Sequence, residues 1–290
     1  MLDYFALKAW DFGKIRQSYT RRDTILYALG VGLGADPLDA GQLRFVYERN
    51  LQALPTMATV LGQPGPYWSD PRSGVNYAKL VHGEQHLRLF RPLPVEGSVN
   101  AQDRILSLSD LGASKGAVAS VARELVDAVS GEPLAECMSV LFLRDDGGFG
   151  ERFGVSDPRP PALPAPPRRL PDIETKLGTL RQSALIYRLS GDYNVLHVDP
   201  EAVQAAGFPR PILHGLCSFG MAAHAVLKSC CDYEVARMRH IAVRFTAPVF
   251  PGETLRFSIW RADDRLLHFR ASVDAREKVV LDHGIVELNP

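Results

Sequence analysis

Apolar and polar positions alternate over Val118–Val126, Ala135–Leu143, Thr254–Trp260, Leu266–Val273 and Val279–Leu288. Alternation sends successive side chains to opposite faces, so each segment predicts a strand with one buried side. Turn chemistry at Ser130-Gly131-Glu132-Pro133 and Asp263-Asp264 joins neighbours into antiparallel hairpins. The rhythm changes between Leu216 and Arg237, where Phe219, Met221, Ala222, Ala225, Val226 and Leu227 follow helical spacing with few breakers. That stretch predicts a mostly buried helix. Two further helices are marked by their starts: Thr20 to Asp23 ahead of Thr24–Gly30, and Asp199 as cap with Pro200 in the first position.

The two ends of the chain repeat one another. Val81-His82-Gly83 resembles Leu213-His214-Gly215, and each is followed by an aromatic, a proline-containing turn and a glycine: Phe90 to Gly97 and Phe245 to Gly252, seven residues apart in both. Between them Pro158–Pro171 reads PRPPALPAPPRRLP, which lacks backbone donors and cannot continue a helix or central strand. The expected organisation is an N-terminal repeat over 1–157, a proline-rich linker over 158–171 and a C-terminal repeat over 172–290.

The repeats differ at one place. His82 lies eight residues before Phe90, whereas His214 lies thirty-one before Phe245, so the buried helix belongs to the second repeat and is reduced or absent in the first. A sheet that lacks its central helix leaves either an apolar groove for a long or bulky ligand or a space filled by Leu51, Leu54, Met57, Val60 and Leu61. The groove is the expectation taken forward.

Composition narrows the function classes. Lysine plus arginine and aspartate plus glutamate number 33 each, which leaves no surplus positive charge for nucleic acid. Apolar runs fall short of the roughly 20 residues a membrane helix needs, and the N-terminus, with Asp3, Lys8 and Asp11, lacks an export pattern. The four cysteines, Cys137, Cys217, Cys230 and Cys231, form neither a disulfide framework nor a zinc pattern and suit a reducing compartment. The C-terminus Val286–Pro290 has no peroxisomal Ser-Lys-Leu-type address, so cytoplasm is the expected location.

Chemistry concentrates in Leu189-Ser190-Gly191-Asp192-Tyr193-Asn194-Val195-Leu196-His197, followed by Ile212-Leu213-His214-Gly215. Asp192 and His197 are five residues apart, so a turn, for which Gly191 and Asn194 are suited, must bring them into one site. A carboxylate and an imidazole bracketing one water can deliver hydroxide to one carbon and a proton to its neighbour. The Gly215 N–H, at the start of the buried helix, is placed to hold an oxygen gaining negative charge.

This string resembles the hydratase 2 motif of the MaoC-like, double hot-dog (R)-specific enoyl-CoA hydratases. The likeness is greatest to the hydratase domain of the peroxisomal multifunctional type and extends through Tyr27–Gly32, Phe45–Glu48, Val81–Gln85, Gly147–Gly150 and Pro211–Cys217. It implies an α+β double hot-dog fold and reversible syn hydration of trans-2-enoyl-CoA to (3R)-3-hydroxyacyl-CoA in fatty acid β-oxidation. Medium, long or bulky acyl chains are expected. No metal or redox cofactor is implied; coenzyme A is part of the substrate. Asp192 and His197 fall on the catalytic pair, Asn194 on its supporting asparagine and Gly215 on the oxyanion glycine. His82, Gly83, Lys115, Gly191, His214 and Phe245 fall near the acyl-CoA, and Glu48 on a supporting glutamate. The resemblance also implies a homodimer. Val195 departs from the family, which has proline after the asparagine. The first repeat has no Asp/His pair, so one active site per chain is expected. Three readings compete: a (3R)-hydroxyacyl-carrier-protein dehydratase, a non-catalytic acyl-CoA-binding protein, and a thioesterase.

Overall fold

The computed structural model describes residues 2–65 and 67–290. Its strands are β1 (Ile15–Tyr19), β2 (Leu80–Leu89), β3 (Gly97–Asp110), β4 (Ala117–Asp127), β5 (Pro133–Leu143), β6 (Ile173–Gly178), β7 (Met238–Phe245), β8 (Thr254–Arg261), β9 (Leu266–Val273) and β10 (Lys278–Leu288). They form one sheet in the order β1-β3-β4-β5-β2-β7-β10-β9-β8-β6, with antiparallel pairing throughout. Read inward from either edge the two halves have equivalent order, and they meet where β2 pairs with β7 from Glu84–Arg244 to Arg88–His240. This is the double hot-dog arrangement expected from the sequence.

The helices are α1 (Tyr4–Lys8), α2 (Arg21–Gly30), α3 (Ala40–Val46), α4 (Phe149–Phe153), α5 (Ser183–Tyr187), α6 (Pro200–Ala205) and α7 (Gly215–Cys230). Thr20 and Asp23 close a reciprocal capping box at the start of α2, and Asp199 accepts from the Glu201 and Ala202 N–H groups at the start of α6. Helix α7 is buried along most of its length and packs on one face of the sheet.

In the N-terminal half the place of α7 is taken by a six-residue 3-10 helix, Pro55–Val60, every residue of which is buried. Leu54, Met57, Val60 and Leu61 join the same apolar core as α7. The expected open groove is therefore corrected: these side chains fill the space, because a cavity of that size would forfeit their contacts. A buried ion pair anchors the filling segment. Arg123 grips Asp103 through two bonds of 2.8 and 3.1 Å, and reaches the Leu61 carbonyl and the Gln63 side chain at 3.4 and 2.9 Å.

The proline-rich segment is tied down rather than loose. Its carbonyls accept from Ser109 at Pro158, from His283 Nδ1 at Leu163 and from Trp260 Nε1 at Arg169. It thus runs from the N-terminal half to the outer C-terminal strands, against Trp260 on the face away from α7.

Candidate active site

The site is assembled in the segment between β6 and α7, where short turns replace long elements. A 3-10 turn at Arg188–Ser190 ends at Gly191, whose φ of 121° lies in the region that side-chain-bearing residues avoid. The reversal presents Asp192. Asn194 then caps the turn Val195–His197, its Oδ1 accepting from the Leu196 N–H at 3.0 Å, while its own N–H donates to Asp192 Oδ1 at 3.1 Å. Asn194 therefore links the two halves of the Asp192–His197 loop.

His197 is buried, and its Nδ1 lies 2.8 Å from the Ile212 carbonyl. A carbonyl can only accept, so Nδ1 carries the hydrogen and Nε2 keeps the lone pair of a base. Burial lowers the His197 pKa, against the opposing effects of the Ile212 carbonyl and the Asp192 charge. His214, at the N-cap of α7, is fully buried and donates Nε2–H to the Asp192 backbone carbonyl at 3.1 Å. Burial first, and the neighbouring His197 second, bring His214 down to about 4. The two rings stack with centroids 3.6 Å apart and 28° between planes. His214 is thus a neutral spacer that fixes the height of Asp192 and the tilt of His197.

Gly215 opens the sixteen-residue helix α7, so its N–H belongs to the first turn, where helical partners are lacking. The Phe245 ring lies against it: a Cβ on Gly215 would come within 3.3 Å of Phe245 Cε1. Phe245 also meets His82 edge-on at 5.0 Å. His82 donates Nε2–H to the Glu84 carbonyl at 3.1 Å, and burial pushes it down to about 4 despite the charge of Asp192. The N-terminal repeat thereby contributes a wall to a site whose reacting groups come from the C-terminal repeat.

Gly83 is buried, and a Cβ there would come 2.6 Å from the Phe142 ring, so packing alone requires glycine. Lys115 is exposed in the turn joining β3 and β4, and Glu48 is exposed just beyond α3. No hydrogen bond or ion pair among the described residues joins either to the Asp192–His197 loop. Two residues were missed. Tyr77 precedes β2 and has its pKa raised by burial and then by the Asp192 charge. Tyr187 is fully buried with its ring 5.0 Å from that of His214. Tyr187 lies 27 residues before His214, whereas Tyr77 lies five before the corresponding His82, so the repeat marked neither, and both come to the site only through the packing of the two halves.

Asp192, His197 and His214 can each offer a metal-ligating atom, all within 4.8 Å of one another. Each imidazole commits one nitrogen to a backbone carbonyl, and the two rings stack.

Residues 163–282 match the model of the MaoC like domain, and residues 17–145 match that of the MFE-2 hydratase 2 N-terminal domain. The chain is 42% identical over 279 residues to 3-hydroxyacyl-thioester dehydratase Y of Mycobacterium tuberculosis, covering 93% of this chain and 92% of that protein. It is 38% identical over 287 residues to the peroxisomal enoyl-CoA hydratase 2 of Arabidopsis thaliana, covering 95% and 92%. The crystal structure of a MaoC-like dehydratase from Phytophthora capsici superposes with a TM-score of 0.85 at 32% identity, covering 99% of both chains. The chain belongs to the MaoC-like family, in its enoyl-CoA hydratase 2 branch.

Proposed function

We propose that this protein is an (R)-specific enoyl-CoA hydratase, a hydro-lyase that adds water reversibly across the double bond of a trans-2-enoyl-CoA. The observation that carries this reading is His197, whose Nδ1 is held by the Ile212 carbonyl so that Nε2 is left as a base, with a ring nitrogen within 4.8 Å of a carboxylate oxygen of Asp192. The thioester oxygen accepts from Gly215 N–H, which draws electron density from C3. Asp192 and His197 hold one water between them. His197 Nε2 takes a proton as the water oxygen bonds to C3, the π electrons move to C2, and the pair returns a proton to C2 on the same face. Atoms balance without a redox partner or metal, and turnover is expected to survive exhaustive chelation.

Incubation with trans-2-enoyl-CoA esters of increasing length, following loss of the conjugated thioester absorbance and resolving the product's configuration, tests this reading. (3R)-Hydroxyacyl-CoA is expected; (3S) product, or release of free thiol, overturns it. Sustained activity on long chains requires the 53–61 segment to yield, because Leu54, Met57, Val60 and Leu61 occupy the space.

A second reading is favoured by the 42% identical relative, whose name specifies a 3-hydroxyacyl-thioester dehydratase. The same groups run backwards would eliminate water from a carrier-protein thioester, and paired assays on CoA and carrier-protein substrates separate the two. A role in β-oxidation, residence in the cytoplasm and a homodimeric state complete the proposal. Four free, buried cysteines support a reducing compartment, and the unpaired outer edges of β1 and β6 support pairing between copies. No helix among the described residues is long and apolar enough to cross a membrane.

A further inference from the structure

Tyr193 lies inside the Asp192–His197 loop, yet its side chain takes no part in the hydrogen bonds that close it. It is 59% exposed, and the guanidinium of Arg188 lies over its ring, with Cζ 4.9 Å from the centroid. Arg188 is partly buried, its Nε has no hydrogen-bond partner, and it forms no ion pair among the described residues. Its position makes that unexpected. Arg188 stands four residues before Asp192, the spacing at which an arginine and an aspartate on one helix meet. Here the helical turn stops short: Arg188–Ser190 ends at Gly191, whose φ of 121° reverses the chain between the two side chains. Both charges nevertheless reach the same place, since Asp192 favours protonation of His214 and Arg188 opposes it.

Asp192 Oδ1 already accepts from the Asn194 N–H at 3.1 Å, so Oδ2 is the oxygen left to hold the reacting water. A guanidinium carries its donors in a fork that fits both oxygens of a carboxylate. Paired with Asp192, it would take Oδ2 and displace the water. A cation on an aromatic face and a cation on a carboxylate are of similar strength at an accessible site, so loss of one partner hands the guanidinium to the other. We propose that Tyr193 is a positioning residue: its ring holds the Arg188 guanidinium off the Asp192 carboxylate and keeps that carboxylate free for water. A positive charge so placed still helps to keep His214 neutral without occupying the acid. The inference rests on the hydratase reading for its kinetics and deepens it, giving a task to a loop residue that supplies no reacting group.

A double-mutant cycle and one crystal structure test it. Tyr193→Leu removes the ring, Tyr193→Phe keeps it, and Arg188→Gln removes the charge. On a trans-2-enoyl-CoA, Tyr193→Leu is expected to lower kcat about fivefold or more with KM nearly constant, while Tyr193→Phe and Arg188→Gln stay within about twofold of the unaltered protein. Tyr193→Leu combined with Arg188→Gln should recover the rate of Arg188→Gln alone, because without the guanidinium there is nothing to hold off. A penalty that persists in the double variant overturns the proposal, since a merely structural ring would be missed whether or not Arg188 is present. An unchanged kcat in Tyr193→Leu also overturns it, and so does a raised KM at constant kcat, which would make Tyr193 a substrate contact. The crystal structure of Tyr193→Leu reads the same event without substrate. A guanidinium nitrogen within about 4 Å of Asp192 Oδ2 is expected, and a guanidinium left where it was overturns the assignment. That new pairing, in a protein that hydrates no thioester, sinks the hydratase reading and leaves the role of Tyr193 standing. Hydration in the unaltered protein, with no new pairing in the variant, does the reverse.

Discussion

Val195 stands where the resemblance implies a proline, and the loop closes nevertheless. Val195 is 52% exposed, and its carbonyl accepts from the Val198 and Asp199 N–H groups at 3.1 and 2.8 Å. Asn194, at φ −56° and ψ 129°, already has the extended backbone that a following proline requires. Val195→Pro is therefore expected to stabilise the protein by about 0.4–1 kcal/mol through the unfolded state and to leave kcat within twofold, read by thermal melts and initial rates. Asp192→Asn and His197→Gln should retain the fold by circular dichroism and lose about 10²- to 10⁴-fold in turnover. Near-normal rates in either would remove that residue from the mechanism. Because burial lowers the pKa of His197, the rate should follow its neutral form. A plateau is expected to extend below the ordinary histidine range before activity falls with acid.

Among the elements, the 53–61 segment separates this half of the molecule from its repeat. It does in about nine residues, without a regular α-helix, what α7 does in sixteen, and it depends on Arg123. The Arg123 and Asp103 side chains are only 11% and 3% exposed. Arg123→Ala leaves a carboxylate buried without its partner and is expected to cost about 3–5 kcal/mol, measured by urea unfolding. It also frees the Leu61 carbonyl and the Gln63 side chain. Arg123→Ala with Asp103→Ala should recover much of the loss. A double variant no more stable than the single one would show that the pair does not act as a unit.

The whole molecule carries a pH signature. Burial holds His82, His214, His224 and His240 each at about 4, against an ordinary 6.5. Between those values the unfolded chain binds protons that the native chain refuses, so stability present above pH 6.5 is lost as pH falls towards 4. Melting temperature should therefore drop across that window. His224→Leu, far from the reacting groups on the buried side of α7, should make the drop shallower; an unchanged slope would mean that His224 does not contribute.

Periodicity, caps and spacing were enough for the hairpins, for α2, α6 and α7, for the absence of a full helix in the first repeat, and for the Asp192–His197 loop with Gly215. Each depends on neighbours within a few turns of chain, where side-chain direction and backbone preference decide. The long strand β3 and the short edge strands β1 and β6 were missed, the edge strands because their stability comes from pairing with β3 and β8 rather than from their own pattern. Filling of the groove, the stacking of His214 on His197, and the approach of Tyr77 and His82 to Asp192 were likewise decided only by tertiary structure. They depend on β2 pairing with β7, which joins residues some 160 positions apart. Local sequence specified which reacting groups the protein has; the long-range pairing of the two repeats specified what surrounds them, because burial and proximity are properties of the packed chain.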